Sequence, residues 1–202
     1  MKNKKKILIR ILILIAGILA VTAMFLGFRL RNSVLIQACQ IQLPPHDVTA
    51  YRQDDSQWAD DALGDSSFTM KSSGCLVSCI ASAVSMESKE EVNPGELNRL
   101  FTEYNVYDHE GNIQWSVIDS INGYSTQVYQ DVSQQEIDQC LAAGHYPIVR
   151  VRVSAVGNFH YVLIVGTENG DYICMDPLKD ELTRLSQYAG RVYAVRVVWV
   201  DD

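Results

Sequence analysis

Between Ile7 and Phe28 the chain is almost wholly aliphatic, interrupted only by Arg10, Thr22 and small residues, and it is preceded by the basic stretch Met1-Lys2-Asn3-Lys4-Lys5-Lys6. A run of this kind is stable in lipid only as a helix, because its backbone amides have no water to bond there. From Ile11 to Phe28 about 18 residues are uncharged, near the roughly 20 that cross a bilayer and more than the roughly 7 to 15 of a cleaved signal's apolar region. The expected organisation is a cytoplasmic basic tail over 1–6, a transmembrane signal anchor over 7–28, a stalk over 29–50 and one domain over 51–202. Lysines cluster before the anchor and only Arg29 and Arg31 follow it, so the amino terminus is expected in the cytoplasm and the domain outside the cell membrane. The small-residue pattern Val21-Thr22-Ala23 leaves open secretion after cleavage near Ala23.

Charge separates along the chain in the same way. Seven of the 17 basic residues and none of the 24 acidic ones lie in the first 31 positions, so the remainder carries a formal charge of −14. A domain that negative repels polyphosphate backbones, which excludes nucleic acid as an expected partner. The 29–50 stretch, with Gln37, Gln40, Gln42, Pro44 and Pro45, has no sustained period and reads as the stalk. The roughly 150 residues beyond it suffice for one domain with a substantial core.

Helices are expected over 75–86, 94–104, 113–121 and 134–142. Pro94 suits a first helical position after Asn93, Ser133 with Glu136 matches a capping box, and Gly144 is a stop signal. Strands are expected over 147–153, 160–166, 171–175 and 193–200, all rich in β-branched and aromatic residues. Helices first and antiparallel strands afterwards imply an α+β domain of two lobes.

Five cysteines cannot all pair within one chain, and their spacings fit neither a zinc site nor a dense disulfide framework, so no metal and no cofactor enter the reading. One of them is placed for chemistry. Gly74-Cys75 is followed by the apolar, small-residue run Leu76-Val77-Ser78-Cys79-Ile80-Ala81-Ser82-Ala83-Val84, which seats Cys75 in the first turn of a buried helix. Unpaired N–H groups and the helix dipole stabilise a thiolate there. Cys79, four residues on, reads as a small packed residue, and Cys39 and Cys140 as inert. His160 supplies a candidate base and Asp176, before Pro177, a candidate orienter for it. Taken singly, the three read as a buried small hydrophobe, a core or rim histidine and a turn residue. Their conjunction points to nucleophilic acyl transfer. Upstream, in Tyr51-Arg52-Gln53-Asp54-Asp55-Ser56-Gln57-Trp58, either Gln53 or Gln57 could donate to the oxyanion, a contribution of about 3 to 4 kcal/mol; otherwise the segment is a polar loop with Trp58 plugging the core.

The hairpin around Glu168-Asn169-Gly170 tests the His160–Asp176 pair. With a three-residue loop and Gly170 left-handed, Thr167 faces Asp171 and positions summing to about 338 lie opposite one another, which puts His160 and Asp176 on one face. A two-residue Asn-Gly turn makes that sum odd and separates them. The chemistry therefore prefers the longer loop.

Six pieces in order carry a resemblance: Tyr51-Arg52-Gln53-Asp54 leading to Trp58 and Gly64, Ser72-Ser73-Gly74-Cys75-Leu76-Val77-Ser78, Val92-Asn93-Pro94-Gly95-Glu96-Leu97, Pro147-Ile148-Val149-Arg150-Val151, His160-Tyr161-Val162 and Asp176-Pro177. Together they resemble the bacteriocin-processing cysteine peptidase family, in particular its stand-alone relatives with a papain-like fold. The resemblance implies Cys75 as nucleophile, His160 as general base and acid, Asp176 as histidine orienter and Gln53, not Gln57, as oxyanion donor, with Gly74 allowing close approach of the substrate backbone. Many members have Gly-Pro-Thr after the cysteine, where this chain has Leu76-Val77-Ser78. The best-known members are fused to an ATP-driven exporter and cut leaders in the cytoplasm, whereas this chain has no nucleotide-binding domain and the reverse expected topology. The expected function is thus a membrane-anchored extracytoplasmic cysteine peptidase or amide hydrolase acting on a peptide or protein substrate. The alternatives are an inactive papain-like binding or sensor module and a cell-wall peptide amidase.

Overall fold

The first element is a single unbroken helix, α1 (Lys2–Leu30), whose described side chains are almost all exposed. A computed structural model of the chain describes residues 2–88, 91–154 and 157–200, and it divides into two units, Met1–Ser33 and Val34–Asp202. Within α1 the 26 residues Lys5–Leu30 are long and apolar enough to cross a membrane. The expected cleavage pattern at Val21-Thr22-Ala23 lies in mid-helix, where Thr22 Oγ1 donates to the Ile18 carbonyl at 2.9 Å.

The second unit is a mixed α+β domain built on antiparallel sheets. Its elements run β1 (Val34–Leu35), α2 (Met70–Ser73), α3 (Cys75–Glu87), α4 (Pro94–Glu103), α5 (Trp115–Ile118), β2 (Tyr124–Val128), α6 (Gln134–Ala142), β3 (Ile148–Arg152), β4 (Phe159–Glu168), β5 (Asp171–Met175), β6 (Thr183–Arg184), β7 (Arg191–Val192) and β8 (Ala194–Val200). Six strands form one sheet in the order β2-β8-β3-β4-β5-β6, and β1 pairs with β7 in a second. The helices and strands expected as two lobes are layers of one unit. On one face, Ile80, Ala83 and Val84 of α3 pack with Ile148, Leu163, Val165 and Val198. On the other, Ile137 and Leu141 of α6 pack with Val149, Val151, Val162 and Ile164. The two sets alternate along β3 and β4, as a sheet covered on both faces requires.

Helix α3 is the centre of the domain: Val77 through Ser85 are all buried. The small residues among them let neighbouring segments approach, and their hydroxyls tie those segments down. Ser82 Oγ accepts from the Tyr51 N–H at 3.3 Å, and Ser85 Oγ accepts from the Val92 N–H at 2.9 Å while donating to the Val92 carbonyl. Helix α4 begins where Pro94 places it, with Asn93 and Glu96 closing a reciprocal capping box. At α6 only half of the expected box forms, Ser133 accepting from the Glu136 N–H.

The stalk expected over 29–50 is corrected by the structure. Val34 and Leu35 pair with β7, Ile36 and Ala38 are buried, and the Gln42 N–H and carbonyl bond to Thr167 Oγ1 and the Thr167 N–H. This stretch straps the sheet, so the folded unit begins at Val34. Two further expectations give way. The helix expected over 113–121 shortens to Trp115–Ile118, and strand β2, unforeseen, follows the left-handed Gly123 and pairs with β8 through Tyr124↔Val200 to Val128↔Arg196.

The β4–β5 hairpin differs from the expected loop and still aligns the site. Glu168 pairs directly with Asp171 across a two-residue Asn169-Gly170 turn, both residues at positive φ, the geometry Asn-Gly favours. That register has the wrong parity for His160 and Asp176. A shift between Ile164 and Gly166 then inserts one residue, and Ile164↔Cys174 and Leu163↔Met175 run in the opposite parity. The bulge coincides with the crossing strap. A Cβ on Gly166 would lie 2.6 Å from Pro44 N and 2.7 Å from the Gln42 carbonyl oxygen, so glycine is required there.

Candidate active site

Cys75 opens α3, with Gly74 as its N-cap and no side chain capping the first-turn amides. His160 is the second residue of β4, and Asp176 follows the last residue of β5. His160 Nε2 lies 2.6 Å from Asp176 Oδ1, and their side chains are 5% and 2% exposed. Asp176 Oδ1 also accepts from the Leu178 N–H at 2.9 Å, and Oδ2 accepts from the Tyr188 hydroxyl. With Nε2 committed to the carboxylate, Nδ1 is the ring nitrogen left to face Cys75, whose side chain helps to raise the imidazole pKa.

The electrostatics follow from these contacts. Burial alone would lower the His160 pKa, but hydrogen bonds to Asp176 and Cys75, with their charges, raise it to about 9. Burial alone would raise the Asp176 carboxyl, but the His160, Tyr188 and Leu178 donors hold it below its ordinary value. At neutral pH the pair is an imidazolium against a carboxylate. The other thiols of the domain core differ: burial pushes Cys79, Cys140 and Cys174 up, keeping them protonated, while Cys75 is half-exposed.

Of the two glutamines, Gln53 is at the site and Gln57 is exposed on the surface. Four bonds hold the Gln53 segment: the Tyr51 N–H to Ser82, an Arg52 ion pair to Asp180 at 2.8 Å, the Gln53 N–H to the Pro177 carbonyl at 3.0 Å and Trp58 Nε1 to the Arg52 carbonyl at 2.8 Å. The buried Gln53 amide thereby bridges the turn after Asp176 to the residues before Cys75. Its Nε2 donates one hydrogen to the Lys71 carbonyl at 2.8 Å, and its Oε1 is buried without a partner. Trp58 also fills the core, at 5% exposure.

Gly74 has a reason other than the expected substrate approach. A Cβ there would sit 2.5 Å from the Met70 carbonyl oxygen and 2.8 Å from Met70 Cα, both backbone atoms of α2. Gly74→Ala is therefore expected to push α2 off the start of α3 and lower stability by about 1–3 kcal/mol, read by urea denaturation. Unchanged stability would mean that α2 is free to shift.

A cleft of about 360 Å³ lies beside Cys75, lined by Leu63, Phe68, Leu76, Tyr107, Trp115 and Tyr161 among others. Its walls mix aromatic and aliphatic side chains with the polar Ser73, Glu110 and Asn112. Tyr188, Trp115 and Tyr161 were not among the expected site residues. Tyr188 comes from a 3-10 turn, Leu185–Tyr188, ended by the left-handed Ala189, and nothing in its local sequence marks it. Among the described residues no group of His, Cys, Asp and Glu is arranged to hold a metal ion. No family model, curated protein or solved structure matches the chain.

Proposed function

We propose that this chain is a membrane-anchored cysteine peptidase or amide hydrolase of papain-like fold, its domain on the outer side of the membrane, acting through an acyl-enzyme at Cys75. The observation that carries the reading is the buried His160–Asp176 pair facing Cys75 at the edge of a cleft. The ordered motifs that resemble those of bacteriocin-processing peptidases support it, and the lysines at the amino-terminal end of α1 support the orientation.

The chemistry balances with these groups alone. The proton shared with Cys75 resides on His160 Nδ1, as the imidazolium requires, and the thiolate attacks the amide carbonyl. The resulting oxyanion is held by N–H groups of the first turn of α3 and by Gln53 Nε2. As the carbon–nitrogen bond breaks, His160 returns the proton to the leaving amine, and the thioester remains. Water then attacks that thioester, giving its proton to His160, and the acid leaves as the thiolate is restored beside the imidazolium. Asp176 holds the ring with Nδ1 toward sulfur and stabilises the imidazolium throughout.

The test is selective alkylation of the full chain in detergent, with the exposed Cys39 replaced by serine. A thiol-directed probe is expected to label Cys75 well before Cys79, Cys140 or Cys174, as read by mass spectrometry. His160→Ala should slow that labelling about 100-fold. Equal labelling of every thiol ends the proposal. The protein must keep the residues from Val34 onward, since they belong to the fold.

A further inference from the structure

Three arginines occupy one face of the sheet with no carboxylate between them. The register sets Arg150 of β3 across from Tyr161 and Ala194, Arg152 across from Phe159, and Arg196 of β8 across from Ile148. Strand alternation therefore puts all three on the face that carries Tyr161. Their guanidinium carbons lie over aromatic rings: Arg150 at 4.4 Å and Arg152 at 3.9 Å from the Phe159 centroid, and Arg196 at 5.7 Å from that of Trp115. Two of the arginines bond to neutral groups, Arg152 to the Gly157 carbonyl and Arg196 to the Val195 and Tyr129 carbonyls, and Arg150 stands across from Tyr161. The Nε of each is buried without a partner.

Among the described residues none of the three joins an ion pair. This is unusual in a region of formal charge −14, where carboxylates are plentiful. Burial lowers the Arg196 pKa; Tyr161 opposes this and the neighbouring Arg150 charge adds to it. The location is specific as well. Tyr161 and Trp115, the rings beside Arg150 and Arg196, line the cleft next to Cys75, and Tyr161 directly follows His160. The cleft's own carboxylate, Glu110, accepts from Asn112 at 3.4 Å instead of pairing with these arginines.

Resting on the peptidase reading above, we infer that Arg150 and Arg196 form an anion subsite adjoining the cleft, next to its lining rings Tyr161 and Trp115. This subsite takes a peptide carboxylate, so that the enzyme selects substrates with an acidic group at one fixed distance from the scissile bond. Guanidinium forks bind carboxylates in planar, charge-assisted pairs, and rings beneath them hold the forks in place. The carboxylate has two sources, an Asp or Glu side chain or the free carboxyl terminus.

Binding separates the two and does not depend on turnover. The probes are fluorescent neutral peptides in which one Glu is moved along the chain, each with its Gln counterpart, and the same peptides with a free or amidated terminus. Anisotropy is measured on the full-length Cys75→Ala protein in detergent. One Glu position, or the free terminus, is expected to bind about tenfold or more tighter than its amide. Arg150→Gln/Arg196→Gln should abolish that preference while leaving affinity for the amide peptides unchanged, and Arg196→Gln alone should reduce it. The inference is overturned if no acidic peptide outbinds its amide, or if the preference survives both substitutions. Because Cys75 labelling is measured separately, loss of the parent reading and loss of this subsite give different results.

Discussion

Cys75→Ala is expected to lower turnover about 10,000-fold or more while leaving the domain folded. Removing the nucleophile from such a set typically costs this much. The substitution is mild for the fold. Cys75 is half-exposed in a first helical turn, and alanine is the better helix former. A second readout follows the proton. Part of what raises His160 to about 9 is its hydrogen bond to Cys75 and the charge on that sulfur. In Cys75→Ala the imidazole should titrate at lower pH, as followed by NMR of the ring protons, with Asp176 alone sustaining it. Turnover that persists within 100-fold, or an unmoved histidine titration, would place the chemistry elsewhere.

What the sequence made legible here was local chemistry. The apolar run of α1, the buried stretch after Gly74 and the Asn93-Pro94 start of α4 each declare themselves within a few residues, through hydrophobic pattern and cap geometry. Cys75, His160 and Asp176 drew notice only as a set, and of these the structure sets His160 and Asp176 2.6 Å apart. What stayed hidden depended on distant contacts. The 34–44 strap has no period of its own and is ordered by Thr167 and β7, more than 100 residues away. The hairpin is the sharpest case. Parity correctly required His160 and Asp176 on one side, but that requirement was assigned to loop length, and the chain meets it with a bulge at Gly166 beneath the strap. Tyr188 was invisible for the same reason, since its bond to Asp176 exists only once β6 and the 3-10 turn fold back.

Asp176→Ala is expected to damage both rate and stability, and Asp176→Asn to separate the two. Alanine leaves His160 buried without an acceptor for Nε2 or the carboxylate's charge, removes the acceptor of the Leu178 N–H, and leaves the Tyr188 hydroxyl only Thr183 Oγ1 at 3.3 Å. Breaking a buried pair in this way costs about 3–5 kcal/mol, and losing the orienter lowers turnover by about 1,000-fold or more. Asparagine keeps the geometry: its oxygen can accept from His160 and Leu178 while its amide donates to Tyr188. It loses only the charge. Asp176→Asn should therefore stay more stable than Asp176→Ala, while its His160 titrates well below 9. The same pair sets the pH range of the parent protein. His160 is raised above its ordinary 6.5, so its contribution of about 3 kcal/mol is fully present below that value and is lost as pH rises through about 9. Asp176 is held below its ordinary 3.8, so its contribution is present above that value and is lost as pH falls through the lower, folded one. Urea midpoints should be highest between those limits and fall on both sides. In Asp176→Asn the alkaline fall should begin at lower pH, and an unshifted alkaline limb would show that the carboxylate does not hold the imidazolium.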